Sequence, residues 1–302
     1  MAEWFNAAVL KTVEFYYFAG SNPALSAQIQ MKVFGLIGRN IHYSFSSKYF
    51  SEKFLKKNIR NSIYKLFDIE NINKLKEFLR LKKRDLSGLN VTIPYKQNII
   101  HFIDDISTDA RNVGAVNTIE IMQKGYIGYN TDIFGFEFSF KKHIKFHHKK
   151  ALILGTGGAS KAVIFVLKKL GIDFRCVSRN ENERNENEYS YSNKNEYKNE
   201  YKNEYSKINE KNFTYEEITK YVLKDFKVII NCTPVGTYPN INDCPKIPYW
   251  EISQKHYLYD MVYNPIASRL LREARKMGCF TKNGFEMLQL QADKAWSLWN
   301  RK

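Results

Sequence analysis

Ala151-Leu152-Ile153-Leu154-Gly155-Thr156-Gly157-Gly158-Ala159-Ser160 reads as a buried strand that runs into a glycine turn, and helical periodicity then continues to Leu170, where Gly171 stops it. A strand, glycine turn and helix in that order present free backbone N–H groups and the positive end of the helix to a pyrophosphate, and the glycines let the backbone approach it. Glycines alone also fit a plain tight turn; the strand before and the helix after make this a nucleotide-binding fold. The next strand, 173–177, ends in Ser178-Arg179-Asn180. An acidic residue at that place binds the ribose 2′-hydroxyl of NAD, whereas an arginine accommodates the 2′-phosphate of NADP. Arg179 therefore points to NADP(H), against its bland reading as a solvated surface arginine.

Outward from this turn, an alternating strand–helix block runs from 151 to about 280, and a second block precedes it. That first block holds a strand at 33–37, a helix at about 48–57, a strand at 64–67, a helix at 73–82 and a strand at 88–92. Spacing of this kind is that of βαβ units and predicts a parallel sheet. Met287, Leu288, Leu290, Ala295, Trp296 and Trp299 recur at helical spacing, so a helix over 287–299 closes the chain. The fold class is α/β with two domains, as its 302 residues suggest.

Two stretches stand apart. Residues 1–30 differ from the rest, and Gly20-Ser21-Asn22-Pro23 is what the T-arm of a tRNA gene gives when translated in frame; the leader is read as dispensable, with Met31 as the start. Residues 181–212 are of low complexity, with Asn195-Glu196-Tyr197-Lys198 repeated through Tyr205. A helix there would align Tyr197, Tyr201 and Tyr205 but set Glu against Glu and Lys against Lys, so a disordered insertion is expected.

The net charge of +16 resembles the footprint of a nucleic-acid binder. Lysine is spread along the whole chain among Asn, Ile and Tyr, as an AT-rich genome would produce, and no helix-turn-helix or aromatic-basic motif accompanies it, so no nucleic-acid partner is expected. No apolar run approaches the roughly 18 to 20 residues that cross a bilayer, so no membrane association is expected either. Cys176, Cys232, Cys244 and Cys279 form no Cys-x-x-Cys pair, and His147-His148 fit no ligand spacing. The thiols fit a reducing cytosol and no metal is expected; a cytoplasmic monomer or homodimer is the expectation.

Gly38-Arg39-Asn40-Ile41-His42-Tyr43-Ser44-Phe45-Ser46 sets two hydroxyls two residues apart, on one side of an extended backbone, where they could bind a carboxylate. Loop serines more often form turns. Asn90-Val91-Thr92-Ile93-Pro94-Tyr95-Lys96, Gly114-Ala115-Val116-Asn117-Thr118 and Gly128-Tyr129-Asn130-Thr131-Asp132 are polar clusters that could converge on a small polyhydroxylated molecule, with Lys96 and Asp132 as its ionisable pair.

In this order the motifs resemble those of the shikimate dehydrogenase family. The likeness continues through the Gly155 turn, Asn231-Cys232-Thr233-Pro234-Val235-Gly236, Asp260-Met261-Val262-Tyr263-Asn264-Pro265 and Asn283-Gly284-Phe285-Glu286-Met287-Leu288, ending in Gln291. The chain departs from the family pattern at Asn40 and Ser47, where proline is usual, at Tyr43 for histidine and at Thr237 for methionine. The resemblance implies a substrate domain over 31–131 plus 284–302 and a Rossmann-like NADP-binding domain over 132–283. It implies that Lys96 and Asp132 are catalytic, that Ser44 and Ser46 bind the substrate carboxylate, and that Thr92, Asn117, Tyr263 and Gln291 complete the substrate site. Gly155, Thr156, Gly157, Gly158, Ala159, Ser160, Ser178, Arg179, Thr233, Met261 and Gly284 would line the cofactor. Without the family, Tyr263 and Gln291 read as packing and surface polarity.

Overall fold

The computed structural model describes residues 31–42, 44–179 and 212–301. The leader and all of the low-complexity segment except Asn212 lie outside these residues; the Asn212 side chain accepts the Cys176 N–H at 3.3 Å.

Strands β1 (Lys32–Gly38), β2 (Ser62–Asp68), β3 (Gly88–Val91), β4 (Asp105–Ile106), β5 (Thr118–Ile121) and β6 (Tyr126–Tyr129) form one sheet in the order β2-β1-β3-β5-β6-β4. Helices α1 (Phe45–Lys56) and α2 (Ile72–Lys82) are the crossovers that keep β2, β1 and β3 parallel. The expected parallel sheet stops there: β5 runs antiparallel to both β3 and β6. Met122 and Gly125 exchange backbone hydrogen bonds across a two-residue turn, and a link that short can only reverse the chain.

The second sheet is parallel throughout. It holds β7 (Lys150–Leu154), β8 (Asp173–Ser178), β9 (Phe213–Thr214), β10 (Val228–Asn231), β11 (Tyr257–Asp260) and β12 (Phe280–Asn283) in the order β12-β11-β10-β7-β8-β9. Burial on both faces explains why these strands read as continuous apolar runs. Ala151, Ile153, Val228, Ile230, Tyr257 and Tyr259 enter one core, while Leu152, Leu154, Ile229 and Leu258 enter the other. Each aliphatic side chain so buried contributes roughly 1.5–3 kcal/mol. The strand order reverses between β7 and β10, and in such sheets the crevice outside the carboxyl ends at the reversal is where ligands bind.

Two long helices join the sheets. Helix α3 (Thr108–Val113) leads through β5 and β6 to α4 (Thr131–Lys141), and after α5 (Gly158–Lys169), α6 (Lys220–Asp225) and α7 (Arg269–Lys276) the chain ends in α8 (Phe285–Trp299). A Cβ on Gly135 of α4 would stand 2.6 Å from the Met287 carbonyl oxygen of α8, so only glycine permits this crossing. Met287 sits in a core of the second sheet, whereas Trp296 and Trp299 pack on Phe34 of β1, with ring centroids 5.2 and 5.0 Å away. The Trp299 indole N–H donates to the Ile119 carbonyl at 3.0 Å. Among the described residues no helix is long and apolar enough to cross a membrane.

Candidate active site

Lys96 lies in the turn that follows β3, and its carbonyl accepts the Val116 N–H at 2.7 Å. Asp132 is the second residue of α4, whose first turn is capped by the Asn130 side chain accepting from Ile133 N. The Lys96 Nζ stands 2.6 Å from Asp132 Oδ2, with side chains only 16% and 9% exposed. A largely desolvated pair of this kind holds its partners in one geometry, because separating them strands a buried charge. A Cβ on Gly158 would lie 3.6 Å from the Lys96 Cβ, so the glycine turn of the second sheet comes within about one methyl group of the lysine of the first.

Around this pair the polar clusters converge. Asn117, 3% exposed, accepts the Thr131 N–H at 2.7 Å and donates to Thr131 Oγ1 at 3.0 Å and to Gln291 Oε1 at 3.5 Å. Gln291, on α8, also meets the Thr131 hydroxyl at 3.3 Å. Asn90 donates to Thr118 Oγ1 and to the Asn117 carbonyl, and its own carbonyl oxygen accepts the Tyr64 hydroxyl at 2.8 Å. Tyr64, stacked on Phe50, also hydrogen-bonds Ser46; burial pushes its phenol well above the usual tyrosine range. Thr92 is half-buried and donates its N–H to Ile37 at the end of β1. Tyr263 reaches over from the loop after β11 and faces Phe45 with ring centroids 6.0 Å apart.

The extended-backbone argument for Ser44 and Ser46 fails. Helix α1 begins at Phe45, earlier than expected, because Ser44 is its N-cap and accepts the Ser46 N–H at 3.3 Å. Helix-start geometry places both serines, with the Ser46 side chain on Tyr64 of β2. Asn40 has φ +56°, a value closed to the proline usual there, and its N–H donates to Asp68 Oδ1.

Gly155, at φ +99°, turns the chain at the carboxyl end of β7, and a Cβ there would be 2.8 Å from Thr233 Cγ2. Thr156 and Ala159 are half-buried, while Gly157 is exposed and a Cβ on it would meet nothing within 4 Å. Ser160 is 1% exposed and donates to the Gly157 carbonyl at 2.6 Å, so it shapes the turn from behind; Ser178 is equally enclosed at 3%. Arg179 is exposed at the end of β8. Met261 donates its N–H to Asn231, and a Cβ on Gly284 would collide with the Met261 carbonyl. A pyrophosphate fits this arrangement: an open glycine turn at a helix start, at the reversal of strand order.

A family model described as the shikimate dehydrogenase substrate binding domain matches residues 36–119. A shikimate dehydrogenase (NADP(+)) of Clostridium botulinum is 36% identical over 268 residues, covering 88% of this chain and 95% of the relative. The chain belongs to the shikimate dehydrogenase family. Among solved members, the enzyme of Peptoclostridium difficile is 36% identical with a TM-score of 0.72, covering 89% of this chain and 92% of that one. A shikimate dehydrogenase solved in complex with NADP+ is 34% identical with a TM-score of 0.73, covering 89% and 90%. Asn90, Thr131 and Asn231 stand in the quoted motifs without a role of their own, and their hydrogen bonds supply it: they hold Asn117, Thr118 and Thr233 in place.

Proposed function

We propose that this chain catalyses the reversible NADPH-dependent reduction of 3-dehydroshikimate to shikimate, with residues 31–131 and 284–302 binding substrate and 132–283 binding cofactor. The observation that carries the reading is the Lys96–Asp132 pair at 2.6 Å beside Gly158 of the nucleotide turn. NADPH supplies the hydride when bound, and the Gly155 turn, Thr233, Met261, Gly284 and Arg179 are the residues that would hold it. Lys96 donates the proton that the reduced C3 oxygen requires and takes it back in the oxidative direction. Asp132 holds the ammonium in place and accepts from a substrate hydroxyl. Ser44 and Ser46 bind the carboxylate, while Thr92, Asn117, Tyr263 and Gln291 meet the remaining polar groups. Four unbridged cysteines support a cytosolic site of action.

The test is NADP+ reduction with shikimate, with quinate and NAD+ as controls. Saturable turnover with shikimate and NADP+, far above either control, is expected; its absence overturns the proposal. Arg179→Ala should raise the NADP+ KM alone, by the roughly 1.5–3 kcal/mol of a charge-assisted phosphate contact.

A further inference from the structure

The polar groups at the carboxyl ends of β10 and β11 converge on a carboxylate that the reaction above does not use. Asp260 has 0% exposure and accepts the Val262 N–H at 3.0 Å, the Asn231 side-chain N–H at 2.9 Å and the Ser268 hydroxyl. Among the described residues it forms no ion pair. Burial pushes its carboxyl up from 3.8 to about 6 against the pull of those three donors, so keeping a carboxylate here costs stability.

Each donor leads to a loop assigned to the cofactor. The far end of the Asn231 amide accepts both the Thr233 N–H, at 3.1 Å, and its hydroxyl, at 2.6 Å. Thr233 is the residue that packs against Gly155. The Val262 peptide follows Met261, and Ser268 caps α7 at the end of the loop that carries Tyr263. One carboxylate thereby ties together the loops that follow β10 and β11, the first of which flanks the reversal of strand order.

We propose that Asp260 is a positioning residue for the dinucleotide: through Asn231 it fixes Thr233 against the Gly155 turn, and through the Met261–Val262 peptide it fixes Met261 beside Gly284. The proposal rests on the reading of that turn as the NADP site. The experiment combines steady-state kinetics with direct titration of NADP+ into wild-type protein, Asp260→Asn, Asp260→Ala and Ser268→Ala. Asp260→Ala should raise the NADP+ KM and dissociation constant about tenfold or more, and by a larger factor than the shikimate KM, which shifts only through the loop that carries Tyr263. Asp260→Asn, which keeps an acceptor for Val262, should recover part of that loss, and Ser268→Ala should shift NADP+ affinity severalfold in the same direction. A purely structural role would lower the melting temperature and leave NADP+ affinity unchanged in the folded fraction, which overturns the proposal. Should neither Asp260 variant fold, Ser268→Ala decides: wild-type NADP+ affinity there refutes the positioning role. Wild-type protein that does not bind NADP+ at all refutes the reading of the turn instead.

Discussion

Lys96 is held by Asp132 through its ammonium, and its stem lies beside the Gly158 turn. A positioned acid contributes roughly 10²–10⁴ in rate, because negative charge builds on an oxygen that must be protonated as hydride arrives. Lys96→Ala is therefore expected to lose mainly kcat, with the shikimate KM modestly altered, since Ser44, Ser46, Asn117 and Gln291 remain. Asp132→Asn should affect both parameters, and the double variant should be little worse than the worse single one, because residues acting as a unit are not additive. Steady-state kinetics of the three variants check this, and a near-normal kcat in Lys96→Ala would falsify the assigned role. The ordered motifs name residues that the fold brings together, Lys96 with Asp132 and Asn117 with Gln291. The local geometry was less legible: Ser44 and Ser46 look alike in sequence whether they line a strand or start a helix, and only the cap bond distinguishes the two.

At the scale of elements, the crossing of α4 and α8 sets where Gln291 stands relative to Asn117 and Thr131. Alanine at an exposed helix-interior glycine gains about 0.8–1 kcal/mol in helix propensity. At Gly135 the added Cβ meets the Met287 carbonyl oxygen at 2.6 Å and Gln291 Cβ at 3.1 Å, and overpacking costs about 1–3 kcal/mol. Gly135→Ala is thus predicted to lower the denaturant midpoint despite the better helix former, and to raise the shikimate KM as Gln291 is displaced. An unchanged midpoint and KM would show that α8 shifts freely. The strands of the second sheet were readable from apolar runs alone, because both faces are buried. β5 was not, since Thr118–Ile121 carries no signal for direction, and the two-residue turn after it decides the pairing.

At the scale of the whole molecule, the sequence conveyed the order of the two sheets and the return of the last helix, while long-range contacts such as Trp299 on Ile119 needed the fold. The cores also bury titratable groups whose effects on stability oppose each other. His148 is 3% exposed, accepts the Lys145 N–H through Nδ1 and packs near Tyr257; burial, aided by His147, lowers its pKa from 6.5 to about 4. Below about pH 6.5 the unfolded chain takes up this proton and the folded one does not, so the stability His148 contributes above 6.5 is lost as pH falls toward 4. Asp260 has the opposite sign: its folded pKa of about 6 exceeds the ordinary 3.8, so the folded state binds the proton more tightly and stability rises as pH falls through 6. Between pH 7 and 5 the two terms are about 2 kcal/mol lost and about 1 kcal/mol regained. His143 and His256, also lowered chiefly by burial, add to the loss. Asp260→Asn should therefore destabilise more steeply on acidification than the wild type, and His148→Asn less steeply. Urea melts of the three proteins at pH 7, 6 and 5 measure the slopes; parallel curves would mean that neither group changes its proton affinity on folding.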